Sequence, residues 1–299
     1  MLERIITAIV LVAVVLSCMF ATTSIYPMLV LMVLAALGAG YEWYKLMPQK
    51  AEMSDDVIPD DVQDNAQSQS AENKKRAPSK AIAWAMGLGC AVVAWASITY
   101  LKDLWILFWF ASIMVWLVSI YWVKRYPEYD GWYNGFLPII GLILIVAAIT
   151  AIFSLWHLSP WWLMYAFLLV WGADSGAYFV GRKFGMRKLA PSVSPNKSIE
   201  GLIGGLVTSS MIIVMASIFW LDLKGIAFVA FLILSLITVL ASVLGDLVES
   251  MIKRRADVKD SGRIFPGHGG VLDRVDSLLA AAPVFAAGLY VLKLMGHSV

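Results

Sequence analysis

A chain of 299 residues that is 60% hydrophobic and only 15% charged, with a mean hydropathy of +0.77, has too little polar surface to cover a water-soluble globule. Its 23 basic and 21 acidic residues leave a formal net charge of +2, a total that points to no nucleic-acid partner. The composition is that of an all-α integral membrane protein. At roughly 20 apolar residues per spanning helix, the length holds about nine spans with little room for a large soluble domain.

In chain order, hydrophobic runs bounded by charge or turn residues predict spans over 5–24, 27–46, 81–100, 104–123, 136–156, 161–181, 201–221, 225–245 and 278–296. Met1 to Arg4 followed by an apolar run resembles the start of a signal peptide. A second apolar run begins at Pro27, however, so an uncleaved first span is expected. Gly38, Gly40, Glu42 and Lys45 weaken the end of the second span. Cys18 and Cys90 lie inside apolar runs and read as packing residues. Residues 47–80 are rich in Asp and Gln and poor in large apolar side chains, so a disordered polar loop is expected there. The organisation is thus an N-terminal transmembrane hairpin (1–46), a polar cytoplasmic loop (47–80), central transmembrane helices (81–160) and a catalytic transmembrane region (161–299) with loops 182–200 and 246–277.

Charge placement tests the span count. With nine spans, the side holding the N-terminus, 47–80, 124–135, 182–200 and 246–277 collects every Lys and Arg except Lys102, Lys224 and Lys293. Short cytoplasmic loops carry the basic excess, so the N-terminus and these loops are expected in the cytoplasm.

The unusual residues fall in two of those loops. In the first, Asp174 lies inside the sixth span, where an ionisable group is costly and marks a candidate site. Arg182, Lys183, Arg187 and Lys188 read as positive-inside anchors. Ser194 to Gly201 places Ser, Asn and Lys donors, including Lys197 and Ser198, just before a helix whose first amides favour anions or accept an ordinary cap. In the second loop, Asp246, Ser250, Lys253 and Asp257 are spaced to share one helical stripe. Glu249 and Lys253 also read as a routine i,i+4 pair. Phe265 to Gly270 is a glycine-rich turn whose amides can approach an anion, followed closely by Asp273, Arg274 and Asp276. Carboxylates flanking cations beside such a turn suit hard metal ions that bridge phosphate oxygens. His268, between glycines, is read as a phosphate or loop contact, since zinc would want three or four N/S ligands.

The run Ser250-x-x-Lys253-Arg254, Lys259-Asp260-Ser261-Gly262, Pro266-Gly267-His268-Gly269-Gly270 and Leu272-Asp273-Arg274-Val275-Asp276 resembles the signature of the phosphatidate cytidylyltransferases, also called CDP-diacylglycerol synthases. The stretch from Asp174 to Gly185, with Ser194 to Gly201, is similar to a second block of that family. Asn196 and Ser198 stand where many members have Lys and Thr. The resemblance implies transfer of the cytidylyl group of CTP to phosphatidate, giving CDP-diacylglycerol and pyrophosphate for phospholipid biosynthesis. It implies Mg2+ on Asp246 and Asp273, with K+ as a second cation, and a homodimer; the short chain and compact loops suit the cell inner (cytoplasmic) membrane. Asp246, Ser250, Lys253 and Asp273 are then the catalytic set. Asp174, Lys197, Ser198, Arg254, Lys259, Asp260, Gly267, His268, Gly269, Gly270, Arg274 and Asp276 are the substrate contacts. A CTP-dependent polyprenol or lipid kinase shares only part of this pattern. A transporter of anionic lipid would not gather its polar residues on one side.

Overall fold

The computed structural model describes residues 2–21, 24–47 and 79–295. The polar segment expected over 47–80 lies, apart from its ends, outside the described residues. Among the described residues nine α-helices follow in chain order, one for each expected span: α1 (Leu2–Phe20), α2 (Tyr26–Lys45), α3 (Lys80–Tyr100), α4 (Trp105–Arg125), α5 (Leu137–Leu158), α6 (Pro160–Phe184), α7 (Ile199–Ala216), α8 (Gly225–Arg255) and α9 (Leu272–Leu294). Eight of the described helices are long and apolar enough to cross a membrane; the remaining apolar stretch, Ile5–Phe20 of α1, is shorter. Between α6 and α7 lies a two-stranded antiparallel ribbon, β1 (Lys188–Ala190) with β2 (Ser194–Ser198), which pairs Lys188 with Ser198 and Ala190 with Ser194.

In hydrocarbon a helix satisfies its own backbone, and every other polar group must find a partner on a neighbour. Prolines open α2, α5 and α6, where their missing N–H is harmless. Indole N–H groups reach across helices: Trp43 Nε1 donates to the Leu137 carbonyl (2.9 Å), Trp109 Nε1 to Thr150 Oγ1 (3.2 Å) and Trp156 Nε1 to the Met19 carbonyl (3.1 Å). All three tie into or leave from α5, the most buried span, which packs against α2, α3, α4, α6 and α9.

Two helix pairs approach closely through small residues, the usual way helices associate in a membrane. Along α6 and α7, Gly176 lies against the Gly204 carbonyl and Thr208. Along α8 and α9, Gly245 lies against the Asp276 carbonyl, so the two helices nearly touch beside Asp246 and Asp276.

Hydrogen bonds and ion pairs draw the basic segments to one end of the bundle. Thr7 of α1 donates to the Pro266 carbonyl (3.2 Å), and Ser261 and Leu272 reach Glu42 near the end of α2. Arg255 pairs with Asp130 in the 126–136 turn, and Arg254 Nε donates to the Val193 carbonyl in the ribbon (3.4 Å). In the same turn the Tyr133 hydroxyl donates to the Leu46 carbonyl (2.8 Å), and burial pushes that phenol above its ordinary pKa, keeping it a donor. At the opposite end the rings of Phe20 and Trp161 pack at 5.1 Å. The start of α1, the end of α2 and the connections 126–136, 185–198 and 256–271 therefore share one side, the arrangement that the basic residues require.

Gly245→Val places a branched side chain against the Asp276 carbonyl. It should destabilise the protein by roughly 1–3 kcal/mol, as overpacking does, measured as a lowered melting temperature in detergent. Gly225→Asn is the control: open space surrounds that position and Asn tolerates its φ of +57°, so the melting temperature should barely move.

Candidate active site

The loop expected over 246–277 is a loop only between 256 and 271. α8 runs on to Arg255, ten residues beyond the predicted end at 245, because Leu, Glu, Met, Lys and two Arg make up most of DLVESMIKRR and favour the helix. α9 begins at Leu272, ahead of the predicted 278. Asp246, Ser250 and Lys253 consequently stand on one helix, and Asp273, Arg274 and Asp276 on the first turns of the next. Asp257 does not join the stripe: it lies past the helix end with φ +59°.

Asp273 is the junction of the site. Its Oδ2 accepts from the Ser261 backbone N–H (2.9 Å), the Ser261 hydroxyl (2.9 Å) and the Gly270 N–H (2.8 Å). Its Oδ1 faces Lys253 Nζ at 2.7 Å, and the same ammonium meets Glu249 Oε2 at 2.5 Å. These side chains are largely withdrawn from solvent: Lys253 is 14% exposed, Asp273 6% and Glu249 3%. The Glu249–Lys253 contact is thus a buried ion pair rather than a solvated surface one. An exposed pair is worth little, whereas removing one partner of a buried pair strands the other charge.

The turn that Asp273 holds is compact. The Phe265 N–H donates to the Gly269 carbonyl (2.9 Å), and the His268 N–H to the Phe265 carbonyl (3.0 Å). Gly267 and Gly269 adopt φ of +73° and +81°, the left-handed region that glycine tolerates. His268 Nδ1 is buried without a hydrogen-bond partner among the described residues.

Asp246 is the second focus. Its Oδ2 lies 2.5 Å from Lys197 Nζ, and its Oδ1 accepts from the Ser250 hydroxyl (3.2 Å). The ribbon delivers Lys197 there, while its neighbour Ser198, buried, caps α7 by accepting from the Gly201 N–H (3.1 Å). Asp174 on α6 is exposed toward the same charges, with Asp246 and Lys197 as electrostatic neighbours. Asp276, half-buried, has Asp246, Lys253 and Lys197 as its neighbours, and its Oδ1 accepts from the Ser277 N–H (2.7 Å). Lys259, Asp260 and Arg274 are exposed, as is Arg254, whose side chain leans on the ribbon.

Five carboxylates, Asp174, Asp246, Glu249, Asp273 and Asp276, thus lie around Lys197 and Lys253. This excess of carboxylate oxygen suits a hard cation. Among the described residues no three His, Cys, Asp or Glu side chains converge into a cage. Mg2+ needs none, since it takes one or two carboxylates and completes its shell with water and substrate phosphates.

Three residues named in the sequence only as a weak helix end, a motif member and a routine i,i+4 partner are participants in the site. Glu42 is a fully buried carboxylate bonded to Ser261 and Leu272; Ser261 bridges it to Asp273; Glu249 is a buried partner of Lys253. Glu42 carried the same signal as Asp174, an ionisable residue within an apolar span.

A bundle of membrane helices with carboxylates, ammonium groups and a glycine-rich turn joined at one end defines a membrane protein with a polar site at the boundary of the bilayer. Over residues 2–292 the chain matches the cytidylyltransferase family, and it belongs to that family. It is 58% identical over 130 residues to a phosphatidate cytidylyltransferase of Haemophilus influenzae, covering 42% of this chain and 44% of that protein. It is 42% identical over 183 residues to one of Pseudomonas aeruginosa, covering 60% of this chain and 67% of that protein. It is 50% identical over 123 residues to one of Bacillus subtilis, covering 41% of this chain and 45% of that protein. The aligned stretches therefore span less than half of the Haemophilus and Bacillus proteins.

Lys253→Met should leave Glu249 and Asp273 facing each other without a cation, a loss of about 3–5 kcal/mol. Adding Glu249→Gln should restore part of it. Melting temperatures of the single and double variants in detergent check this; a double variant no more stable than Lys253→Met contradicts the ion-pair account.

Proposed function

We propose that the chain transfers the cytidylyl group of CTP to phosphatidate, forming CDP-diacylglycerol and pyrophosphate. The observation that carries this reading is the junction of Asp246, Ser250 and Lys253 on α8 with Asp273 and the glycine-rich turn before α9, at an end of the bundle that a lipid phosphate and a soluble nucleotide can both reach. The relatives named as phosphatidate cytidylyltransferases support the same substrate pair.

In the reaction, a non-bridging oxygen of the lipid phosphate attacks the α-phosphorus of CTP in line. The new P–O bond forms as the bond from the α-phosphorus to the oxygen bridging to the β-phosphate breaks, and pyrophosphate leaves with that electron pair. A phosphate monoester is largely dianionic at neutral pH, so the attacking oxygen needs no protein base, and no covalent enzyme intermediate is required. The work left to the protein is positioning and charge compensation.

In this reading Asp246 and Asp273 hold Mg2+, with K+ as the second cation; when bound, the divalent ion supplies neutralisation of phosphate charge. Lys253 and Lys197, each held on a carboxylate, turn their ammonium groups to phosphate oxygens, and Ser250 faces the same space. Ser198 supports Lys197 through the cap of α7. Arg254, Lys259 and Arg274 form a positive rim for the triphosphate. The amides of Gly267 and Gly269, bordered by Asp260, receive the leaving pyrophosphate, while those of His268 and Gly270, committed to the Phe265 carbonyl and to Asp273, shape the turn around it, and Asp174 and Asp276 are left for the ribose. We place this end of the bundle on the cytoplasmic face of the cell inner membrane, because its short segments hold the basic residues, and we take the working assembly to be a homodimer.

Purified protein in micelles with Mg2+, phosphatidate and CTP labelled at the α-phosphorus should move label into the organic phase and release pyrophosphate. Asp246→Asn and Asp273→Asn should abolish transfer, and chelation of the divalent ion should do the same reversibly. Near-normal transfer in either variant refutes the assigned roles. Label from the γ-phosphate in a polyprenol, with CDP released, would replace this function with that of a kinase.

A further inference from the structure

Glu42 sits near the end of α2 with a side chain that is 0% exposed, far in sequence from every residue of the proposed reaction. An isolated carboxylate at such a place is costly, so its partners decide what it does. Its Oε2 accepts from the N–H of Leu272, the first residue of α9 (2.9 Å), and lies 3.0 Å from the Ser261 hydroxyl oxygen, whose single hydrogen is shared between Glu42 and Asp273 Oδ2. Its Oε1 has no donor among the described residues. Gly262 and Gly270 lie so close to the carboxyl group that a Cβ on either would overlap it. Glu42 thus occupies a socket formed by the 261–262 segment of the loop and its end at Gly270 beside Leu272, and the socket is shaped around it.

From that socket a continuous chain of contacts runs to the reacting groups. Ser261 touches Glu42 with its hydroxyl and Asp273 with both its hydroxyl and its N–H; Asp273 then holds Gly270 and Lys253. We infer that Glu42 is a positioning residue: anchored in the N-terminal hairpin, it clamps the start of α9 and the Ser261 turn so that Asp273 and Lys253 are presented in one fixed arrangement. The N-terminal hairpin is then part of the active-site scaffold as well as a membrane anchor. Supporting groups of this kind, one step removed from the chemistry, typically change activity roughly 10–100-fold when removed.

The inference rests on the transferase reading for its kinetic arm but has a second arm that does not. In hydrogen-exchange mass spectrometry of the full chain in detergent, Glu42→Ala should speed exchange across 256–271, where the Ser261 and Gly270 amides are held by Asp273. In the transfer assay it should lower kcat by roughly 10–100-fold with KM for both substrates within about threefold. Glu42→Gln should recover most of kcat, because its carbonyl can accept from Leu272 N–H while its amide donates to the Ser261 hydroxyl, leaving that hydroxyl's hydrogen for Asp273. If Glu42→Ala does not fold, Ser261→Ala breaks the middle of the chain and should give the same slow turnover at unchanged KM. Unchanged exchange, unchanged kcat in an active protein, or a Gln variant as impaired as Ala would each overturn the clamp. Faster exchange in Glu42→Ala together with a wild type that makes no CDP-diacylglycerol would count against the transferase reading alone.

Discussion

The Asp273 carboxylate organises this end of the molecule. One of its oxygens gathers the amides of Ser261 and Gly270 and the Ser261 hydroxyl, and the other takes the Lys253 ammonium. It thereby closes the 256–271 loop on itself, fixes the first turn of α9 and locks that turn to α8. An acidic group in the first turn of a helix is favoured by the orphan amides there. Here those local preferences are extended across two helices and a loop. The same contacts that order the turn also leave its glycine amides and the neighbouring cations at one place.

The hydrophobic bundle beneath explains why such a concentration of charge can exist. α5 provides the buried hub, and close approach at Gly245 brings α8 against α9 where Asp246 and Asp276 stand. Carboxyl groups this close repel one another, and two lysines offset only part of that repulsion. Cations complement the carboxylates of this site, and phosphates complement its ammonium groups.

How much of this was legible in the sequence depends on the range of the interactions. The nine helices follow from apolar runs, and the common side of their basic connections follows from charge, since both properties are local or additive along the chain. The ends of α8 and α9 were misplaced because hydropathy falls before helical geometry does. Residues 246–255 leave the apolar pattern yet keep helical propensity. The ribbon that carries Lys197 to Asp246 was read only as a polar connection, since two short paired strands leave little periodicity. Glu42 was the hardest to place: its partners Ser261 and Leu272 are 219 and 230 residues away. Nothing near Glu42 distinguishes a clamp from a weak helix end except the cost of a carboxylate in that setting.

In the transferase reading the groups joined at Asp246 and Asp273 form the nucleotide site. This assignment is tested most directly by an experimental structure of the protein with Mg2+ and a non-hydrolysable CTP analogue. The triphosphate should lie between Lys197, Lys253 and the 267–270 turn, with both lysines moved from their carboxylates to phosphate oxygens. A nucleotide bound elsewhere, with Lys253 still on Asp273 and Lys197 still on Asp246, would contradict it.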